Sequence, residues 1–396
     1  MTGNFKFNLY SRKVFPIVTI IIVAITFIFL ADRIDYTSPD YSDTDLAKYR
    51  MMAESSPTLN FEVSKPYVYR ILAPWLAGIL PLNIDVSFFF LNSIFLILLS
   101  ITLYYFLLYH KIGKNIALFV TLCFILNRYF FAFLAFDYFQ FGDTLSYFLL
   151  LISFFLIAKK RWVLFSIVLI IGVLTREVAL LIIPVGYLFI YEKKILSMNY
   201  LKYSVALFPS VLIFIFFRVL IKIDGDENYL TQIISGFELF KPESIIKKFF
   251  ISVTPFAFLS IVYSKELYTF FLKHLYLLML FVGTVFSSFF GFDHERLMSP
   301  SAPVFFLFLA IILEQTVQSK KWENHKGKIF GIIITLAFLS TFYHLWGIIK
   351  LPNREITLFV TVILNVFMLI FFLVIKHSTL IENKIRNPFK NRNDVF

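Results

Sequence analysis

The sequence predicts an all-α, polytopic membrane protein with about twelve transmembrane or re-entrant helices. Of its 396 residues, 59% are apolar and only 16% are charged, which is too little polar material to cover a soluble protein of this size. Apolar runs of roughly 17 to 25 residues recur from end to end, and each is long enough to cross a hydrocarbon core of about 30 Å. The alternating segments of roughly ten residues that are typical of membrane β-barrels are absent from the sequence.

The first apolar run follows a basic stretch, as the apolar part of a signal peptide does. It is too long for a signal peptide and lacks a cleavage site of small residues, so we expect an uncleaved first span. The other apolar segments follow at short intervals. The predicted segments are 14–31, 86–109, 115–134, 142–158, 162–174, 178–191, 203–221, 248–263, 272–290, 298–314, 329–349 and 356–376.

Residues 162–191 are compatible with one long helix or with two short ones. One continuous helix would be about 45 Å long, which is too long to cross a membrane upright. A single crossing here would also put the later basic connections outside, against the positive-inside rule. We therefore predict a hairpin with Arg176 and Glu177 at its outer tip, which borders a water-filled cavity rather than lipid.

The net charge of +12 does not indicate a nucleic-acid-binding protein, because the lysines and arginines concentrate in alternate connections between the apolar segments. This distribution is the positive-inside pattern of membrane proteins. It predicts a multi-pass protein of the cell membrane, surrounded by membrane lipids, with both termini cytoplasmic. Residues 1–376 are expected to form a single transmembrane domain and residues 377–396 a basic cytoplasmic tail. Cys123 is the only cysteine, so no internal disulfide can form.

The first outer loop, 32–85, is expected to hold two short helices. Asp45, Tyr49 and Ala53 are spaced i, i+4, i+8, so on a helix they share one face, and alanine lets that face pack closely against a neighbour. Asp43 stands just upstream, where an acidic residue suits a helix amino terminus. These aspartates could therefore cap a surface helix or carry chemistry.

The second half of this loop predicts a short helix that lies along the membrane interface. Tyr69 and Leu76 share a face at helical spacing, and Tyr67 and Trp75 suit the level of the lipid headgroups. Arg70 could extend to a lipid phosphate, or it could bind the phosphate of a lipid-linked substrate with two hydrogen bonds.

Ionisable residues at the outer ends of the later spans are further candidates, because charges within spans usually face a cavity or one another. Asp143 before a helix is typical of a cap, and Arg176 and Glu177 could satisfy each other as an ion pair. His294 with its acidic neighbours could bind a divalent metal, or its segment could be a solvated loop with one arginine turned inward. The substrate-binding candidates are Tyr49, Tyr69, Arg70, Asp137, Asp143, Arg176, Glu177, His294, Glu295 and Arg296.

The order of these motifs resembles a known family. D-x-x-x-Y-x-x-x-A from Asp45, Y-R-x-L-x-P-x-L from Tyr69 and L-T-R-E-x-x-L-L-x-x-P from Leu174 precede an acidic and arginine-containing loop at 293–296. This arrangement is similar to the integral-membrane glycosyltransferases of the GT-C fold, which include protein O-mannosyltransferases and the aminoarabinose transferase of lipid A. The resemblance extends over roughly residues 14–314.

The resemblance implies a polyprenyl phosphate-linked sugar as donor and a lipid, glycan or protein as acceptor. It implies that Asp45 is the catalytic carboxylate, with Asp43 in reserve, and that transfer inverts the anomeric carbon. A carboxylate near the acceptor hydroxyl can take its proton. The phosphate leaving group needs positive charge from Arg70, Arg176 or Arg296, with or without a divalent metal.

Two other classes of function are compatible with the sequence. A transporter or flippase for a glycolipid or another amphiphile would also have many spans and both termini inside, but such carriers tend to show internal repeats, and none is visible. A membrane scaffold or an O-antigen-type polymerase is the third class. The sequence contains no glycine-rich phosphate loop, GxSxG or HExxH motif of a soluble enzyme.

Overall fold

The structure is a computed structural model that describes residues 11–34, 45–191, 197–221, 249–288, 294–319, 322, 324–341 and 354–386. The regular elements in these ranges are helices. Five are long and apolar enough to cross a membrane, or seven if each of two bent pairs is one span. The chain is therefore a polytopic helical protein able to span a membrane, whereas a number of about twelve spans is not confirmed.

The amino-terminal part, up to residue 221, alternates long helices with short helical turns. Its α-helices are α1 (Ser11–Leu30), α2 (Asp45–Glu54), α3 (Leu72–Ile79), α4 (Ile84–Tyr109), α5 (Lys114–Ile125), α6 (Phe133–Phe136), α7 (Phe141–Ala158), α8 (Trp162–Thr175), α9 (Ile182–Phe189) and α10 (Met198–Leu220). Turns of 3-10 helix cover Tyr67–Tyr69, Tyr138–Gln140 and Glu177–Leu181, and a π-helical turn covers Arg128–Ala132.

The carboxyl-terminal part departs from the predicted spans in three places. Its helices are α11 (Leu259–Val262), α12 (Ser264–Lys273), α13 (Leu275–Ser288), α14 (His294–Leu297), α15 (Ala302–Gln318), α16 (Lys326–Ser340) and α17 (Arg354–Arg386). The predicted span 248–263 is interrupted by turns at 253–258. The connection expected at 264–273 is α12, which meets α13 at 107°. Finally, α17 continues past residue 376 into the predicted tail.

The bundle is built around α7 and α15. These helices belong to the spans Tyr138–Ala158 and Ser299–Gln318. In the most apolar 18-residue stretch of each span, 67% and 72% of the residues are buried. By contrast, only 22% of the corresponding stretch of α10 is buried, and the Phe208, Phe216 and Val219 side chains of this helix are exposed. Such a surface suits lipid, in which helices associate through close packing rather than through the hydrophobic effect. We infer that α10 is a peripheral helix of the bundle.

A buried polar network holds the bend of 63° between α5 and α6. Asn127 accepts hydrogen bonds from the backbone of Tyr129 and Phe130 through Oδ1, and its Nδ2 donates to the Thr254 carbonyl at 3.0 Å. Asn365 of α17 donates to the hydroxyl of the same threonine at 3.0 Å. The backbone groups released by the bend are thus satisfied by side chains, as a non-helical segment inside a membrane protein requires.

The predicted hairpin at 162–191 is confirmed in shape. Tyr203 of α10 contacts both arms, because its ring stacks on Phe165 of α8 at 5.3 Å between centroids and its hydroxyl donates to the Ile182 carbonyl at 2.7 Å. In one continuous helix those two arm residues would be roughly 25 Å apart. The arms also approach closely at Gly172, where an added Cβ would lie 2.8 Å from Ala179 Cβ. The chain therefore reverses at Arg176.

Candidate functional site

The local structure of α2 provides the first part of the site. Asp45 begins the helix, and Tyr49 and Ala53 are buried on the face that follows it. A Cβ added to Gly78 of α3 would lie 2.0 Å from the Ala53 carbonyl oxygen, so the two helices touch through backbone. The predicted close-packing face of α2 is confirmed.

Asp45 is held from two sides. The Tyr67 hydroxyl donates a hydrogen bond to its Oδ1 atom, and Nη2 of Arg296 lies 3.7 Å from its Oδ2 atom. The side chain is 29% exposed, so the carboxylate stays reachable from outside. Asp45 therefore joins the first polar segment to α14, which lies far along the chain.

Behind Asp45, the fully buried Asp143 pairs with two arginines. Its Oδ1 contacts Arg176 Nη1, and its Oδ2 lies 3.4 Å from Arg296 Nη1. The expectation that Asp143 caps a helix is wrong, since α7 begins after Gln140 and no side chain caps it. A carboxylate without exposed surface needs counter-charges, and the two arginines supply them. Asp143 is thus an anchor beneath the site rather than a group that a ligand could reach.

A second pair of arginines shares Glu177. Nε of Arg70 lies 3.1 Å from Glu177 Oε2, and Nη2 of Arg218 lies 3.0 Å from Oε1. Nη1 of Arg70 also donates to the Tyr49 hydroxyl at 3.2 Å. Arg70 is directed into the protein, toward these partners, rather than toward a lipid headgroup. These contacts join α2, the turn before α3, the α8–α9 hairpin and α10.

The mutual ion pair expected between Arg176 and Glu177 is wrong. Arg176 has an extended backbone, with φ −165° and ψ 146°, and neighbouring side chains on extended backbone point to opposite sides. One side chain therefore reaches Asp143 while the other reaches Arg70 and Arg218. Because these two residues are neighbours in the chain, the hairpin tip joins two ion-pair clusters into one network. One cluster is Asp45, Asp143, Arg176 and Arg296, and the other is Arg70, Glu177 and Arg218.

Two members of the site were not among the predicted residues. Arg218 lies in the last turn of α10, with its guanidinium 3.6 Å from the Phe214 ring centroid and 4.5 Å from that of Tyr69. An arginine within a predicted span was the signal that sequence reasoning could have used. Tyr67, expected only as a headgroup-level aromatic, binds Asp45.

The remaining candidates differ in how far the structure describes them. Tyr69 is buried beneath Arg218. Asp137 is buried where α6 ends, next to Tyr138 and Phe139. Asp43, and the side chains of His294 and Glu295, lie outside the described residues. Among the residues that the structure describes, no group of three or more His, Cys, Asp or Glu side chains is placed to hold a metal ion.

The charges of the network decide the protonation of Asp45 and Tyr67. Among the residues that the structure describes, the network holds four guanidinium groups and three carboxylates. Burial raises the pKa of Asp45, but the Tyr67 hydrogen bond and the charges of Arg296, Arg70 and Arg176 outweigh burial and hold this pKa below its ordinary range. Burial and the hydrogen bond to Asp45 raise the pKa of Tyr67. At neutral pH, Asp45 is therefore ionised and Tyr67 is a donor.

Comparison with known proteins found no matching family model, no matching curated protein and no matching solved structure.

Proposed function

We propose that this chain is a glycosyltransferase that moves a sugar from a polyprenyl phosphate-linked donor to an acceptor on the non-cytoplasmic side of the membrane. The observation that carries the proposal is the placing of Asp45, an ionised and partly exposed carboxylate, within a network of four arginines. A carboxylate beside an anion-binding group of arginines suits a reaction in which a hydroxyl attacks and a phosphate leaves.

Asp45 is the proposed general base. Its carboxylate accepts the proton of the acceptor hydroxyl while the hydroxyl oxygen forms a bond to the anomeric carbon of the sugar. The bond from that carbon to the phosphate oxygen breaks, and its electron pair leaves with the polyprenyl phosphate. An exposure of 29% for the Asp45 side chain is consistent with direct contact to the hydroxyl, whereas the fully buried Asp143 is unsuited to this role.

The arginines are the proposed phosphate-binding groups. Arg70 and Arg218 are the more accessible pair, with 14% and 22% of the side chain exposed, and both already bind one carboxylate. A phosphate would compete with Glu177 for these two guanidinium groups, which make charge-assisted hydrogen bonds to either anion. Arg296 contacts both Asp45 and Asp143, so its positive charge lies directly beside the proposed base.

The position of Arg218 on α10 suits a substrate that arrives from the membrane. Apolar side chains next to it, including Phe216, Val219 and Leu220, are exposed. The exposed apolar surface and the Arg218 guanidinium are on the same helix. A polyprenyl chain could therefore lie against this surface while its phosphate reaches the guanidinium. This geometry supports a lipid-linked donor over a soluble nucleotide sugar.

The test uses the full chain in lipid nanodiscs with radiolabelled polyprenyl phosphate sugars and a membrane lipid extract as acceptor source. Released polyprenyl phosphate is measured by thin-layer chromatography. Removing a general base typically costs about 10²- to 10⁴-fold in rate, so Asp45→Asn should lose at least about 100-fold. Asp85→Asn is the matched control, since Asp85 lies in the same region but pairs with the exposed Arg50. Full activity after replacement of both Asp45 and Asp43 would exclude the assignment.

A transporter or flippase for a glycolipid is the alternative, favoured by the helix pairs bent at 63° and 107°, since broken helices are common in carriers. A flippase would move the donor lipid between leaflets without cleaving it. A fluorescent polyprenyl phosphate sugar in proteoliposomes separates the two functions. Dithionite quenches only the fluorescent lipid in the outer leaflet, so a rise in the quenched fraction of intact lipid supports transport. Loss of the sugar from the lipid supports transfer.

A further inference from the structure

Tyr67 has a defined place beside the proposed base. It begins the 3-10 turn Tyr67–Tyr69 between α2 and α3, and its hydroxyl donates to Asp45 Oδ1. Its ring lies edge-on to Tyr49 at 5.6 Å between centroids, and the Lys48 ammonium lies 4.7 Å from its centroid. The ring is thus fixed by two neighbours on α2 while its hydroxyl reaches the first residue of that helix.

The two oxygens of Asp45 have unequal surroundings. Oδ1 accepts the Tyr67 hydrogen bond, whereas Oδ2 faces Arg296 at 3.7 Å, beyond ordinary hydrogen-bond distance. The directional contact is therefore the one from Tyr67, and it restricts rotation of the carboxylate about its Cβ–Cγ bond. Oδ2 is the oxygen left for an acceptor hydroxyl.

We propose that Tyr67 is a positioning residue for Asp45, orienting the carboxylate and setting its affinity for the proton that it takes from the acceptor. This inference rests on the proposed function of Asp45 as general base. When Asp45 takes the proton, Tyr67 keeps its own, and its hydrogen bond then points at a neutral carboxyl group. Because a charged acceptor binds a hydroxyl more strongly than a neutral one, the bond favours the ionised base.

The other charged or titratable groups that face Asp45 act differently. They are Arg70 before α3, Arg176 at the hairpin tip and Arg296 on α14, while Lys48 and Tyr49 on α2 contact the Tyr67 ring. The arginines act through charge, and replacing any of them would break ion pairs elsewhere in the network. Tyr67→Phe removes a single hydroxyl and keeps the ring between its neighbours, so it isolates the hydrogen bond.

The experiment follows the Asp45 carboxyl directly. The full chain with ¹³C-labelled aspartate in nanodiscs is titrated by NMR, and Asp45→Asn assigns the signal by difference. In Tyr67→Phe the midpoint of the Asp45 titration should move to higher pH, and the acid limb of kcat/KM for donor cleavage should move in the same direction. Tyr49→Phe is the matched control, because its hydroxyl contacts Arg70 and its loss leaves the Tyr67 bond in place.

An unchanged Asp45 midpoint in Tyr67→Phe would overturn the inference. A shifted midpoint with an unchanged acid limb would overturn the role in the reaction. A shifted midpoint in a protein whose wild type cleaves no donor would contradict the proposed transferase, while the control of Asp45 by Tyr67 would stand. Gel filtration and circular dichroism of each variant establish that it is folded before titration.

Discussion

Oδ2 of Asp45 lies 3.7 Å from Nη2 of Arg296, and the same guanidinium lies 3.4 Å from the buried Asp143. Arg296 therefore connects an accessible carboxylate to one without exposed surface. The pairing divides the carboxylates by role, since one can meet a ligand and the other holds the arginines in place. The following predictions depend on this division.

Asp143→Asn should destabilise the protein more than it alters ligand contacts. Arg176 and Arg296 are both nearly buried, and the variant removes a counter-charge that these two cations share, which typically costs about 3 kcal/mol or more. The midpoint of thermal unfolding in detergent measures the loss. Asp85→Asn, which breaks an exposed pair with Arg50, should cost less than about 1 kcal/mol. Equal losses for both variants would contradict the anchoring role of Asp143.

The Asp45 ion pair should withstand mild acid. Because the folded-state pKa of Asp45 is lowered, its carboxylate stabilises the fold at every pH above the ordinary aspartate range and loses that contribution as pH falls through the lowered value. The difference in unfolding midpoint between wild type and Asp45→Asn should therefore be constant from about pH 8 to pH 5 and shrink only below about pH 4. A difference that vanishes above pH 5 would mean that the carboxylate is not held by its arginines.

Arg218→Gln should weaken binding of polyprenyl phosphate. One charge-assisted contact to phosphate is typically worth about 1.5–3 kcal/mol, so the Kd should rise at least about tenfold. Arg218→Lys should recover only part of this affinity, because a lysine ammonium cannot present the planar fork of a guanidinium. Arg50→Gln serves as the control, since Arg50 pairs with Glu54 and Asp85 apart from the network. Scintillation proximity with labelled polyprenyl phosphate gives the Kd, and identical values for Arg218→Gln and Arg50→Gln would refute this role.

Gly78→Ala should separate α2 from α3. Its new Cβ would lie 2.0 Å from the Ala53 carbonyl oxygen, and forcing an extra methyl group into a packed contact typically costs about 1–3 kcal/mol. Donor cleavage should fall as well, because α2 carries Asp45. Gly331→Ala is the matched control within α16, where nothing lies within 4 Å of the added atom. If both variants unfold at the wild-type temperature, the packing of α2 on α3 is looser than described.

Several features of the fold followed from local patterns. The close-packing face of α2 and the break at Arg176 were predicted, because spacing along a helix and the cost of charge within a membrane are properties of short segments. The interruption at 253–258 and the bend at His274 were not predicted. A continuously apolar segment can still contain a broken helix when side chains bind the backbone groups that the break leaves without helical partners, as Asn365 binds the Ala257 amide. The hydropathy of the segment does not reveal such side chains, because they belong to other helices.

The sequence by itself determined that the chain is a helical membrane-type protein and that Asp45, Arg70, Arg176 and Arg296 deserve a role, since composition and the energetic cost of charge are independent of long-range contacts. Only the tertiary structure decided how these charges pair. Asp143 binds Arg176 instead of capping a helix, and Glu177 pairs with Arg218 rather than with its chain neighbour Arg176. The physical reason is that an ion pair depends on the distance between side chains from separate helices, and that distance is set by the packing of the whole bundle rather than by any local pattern.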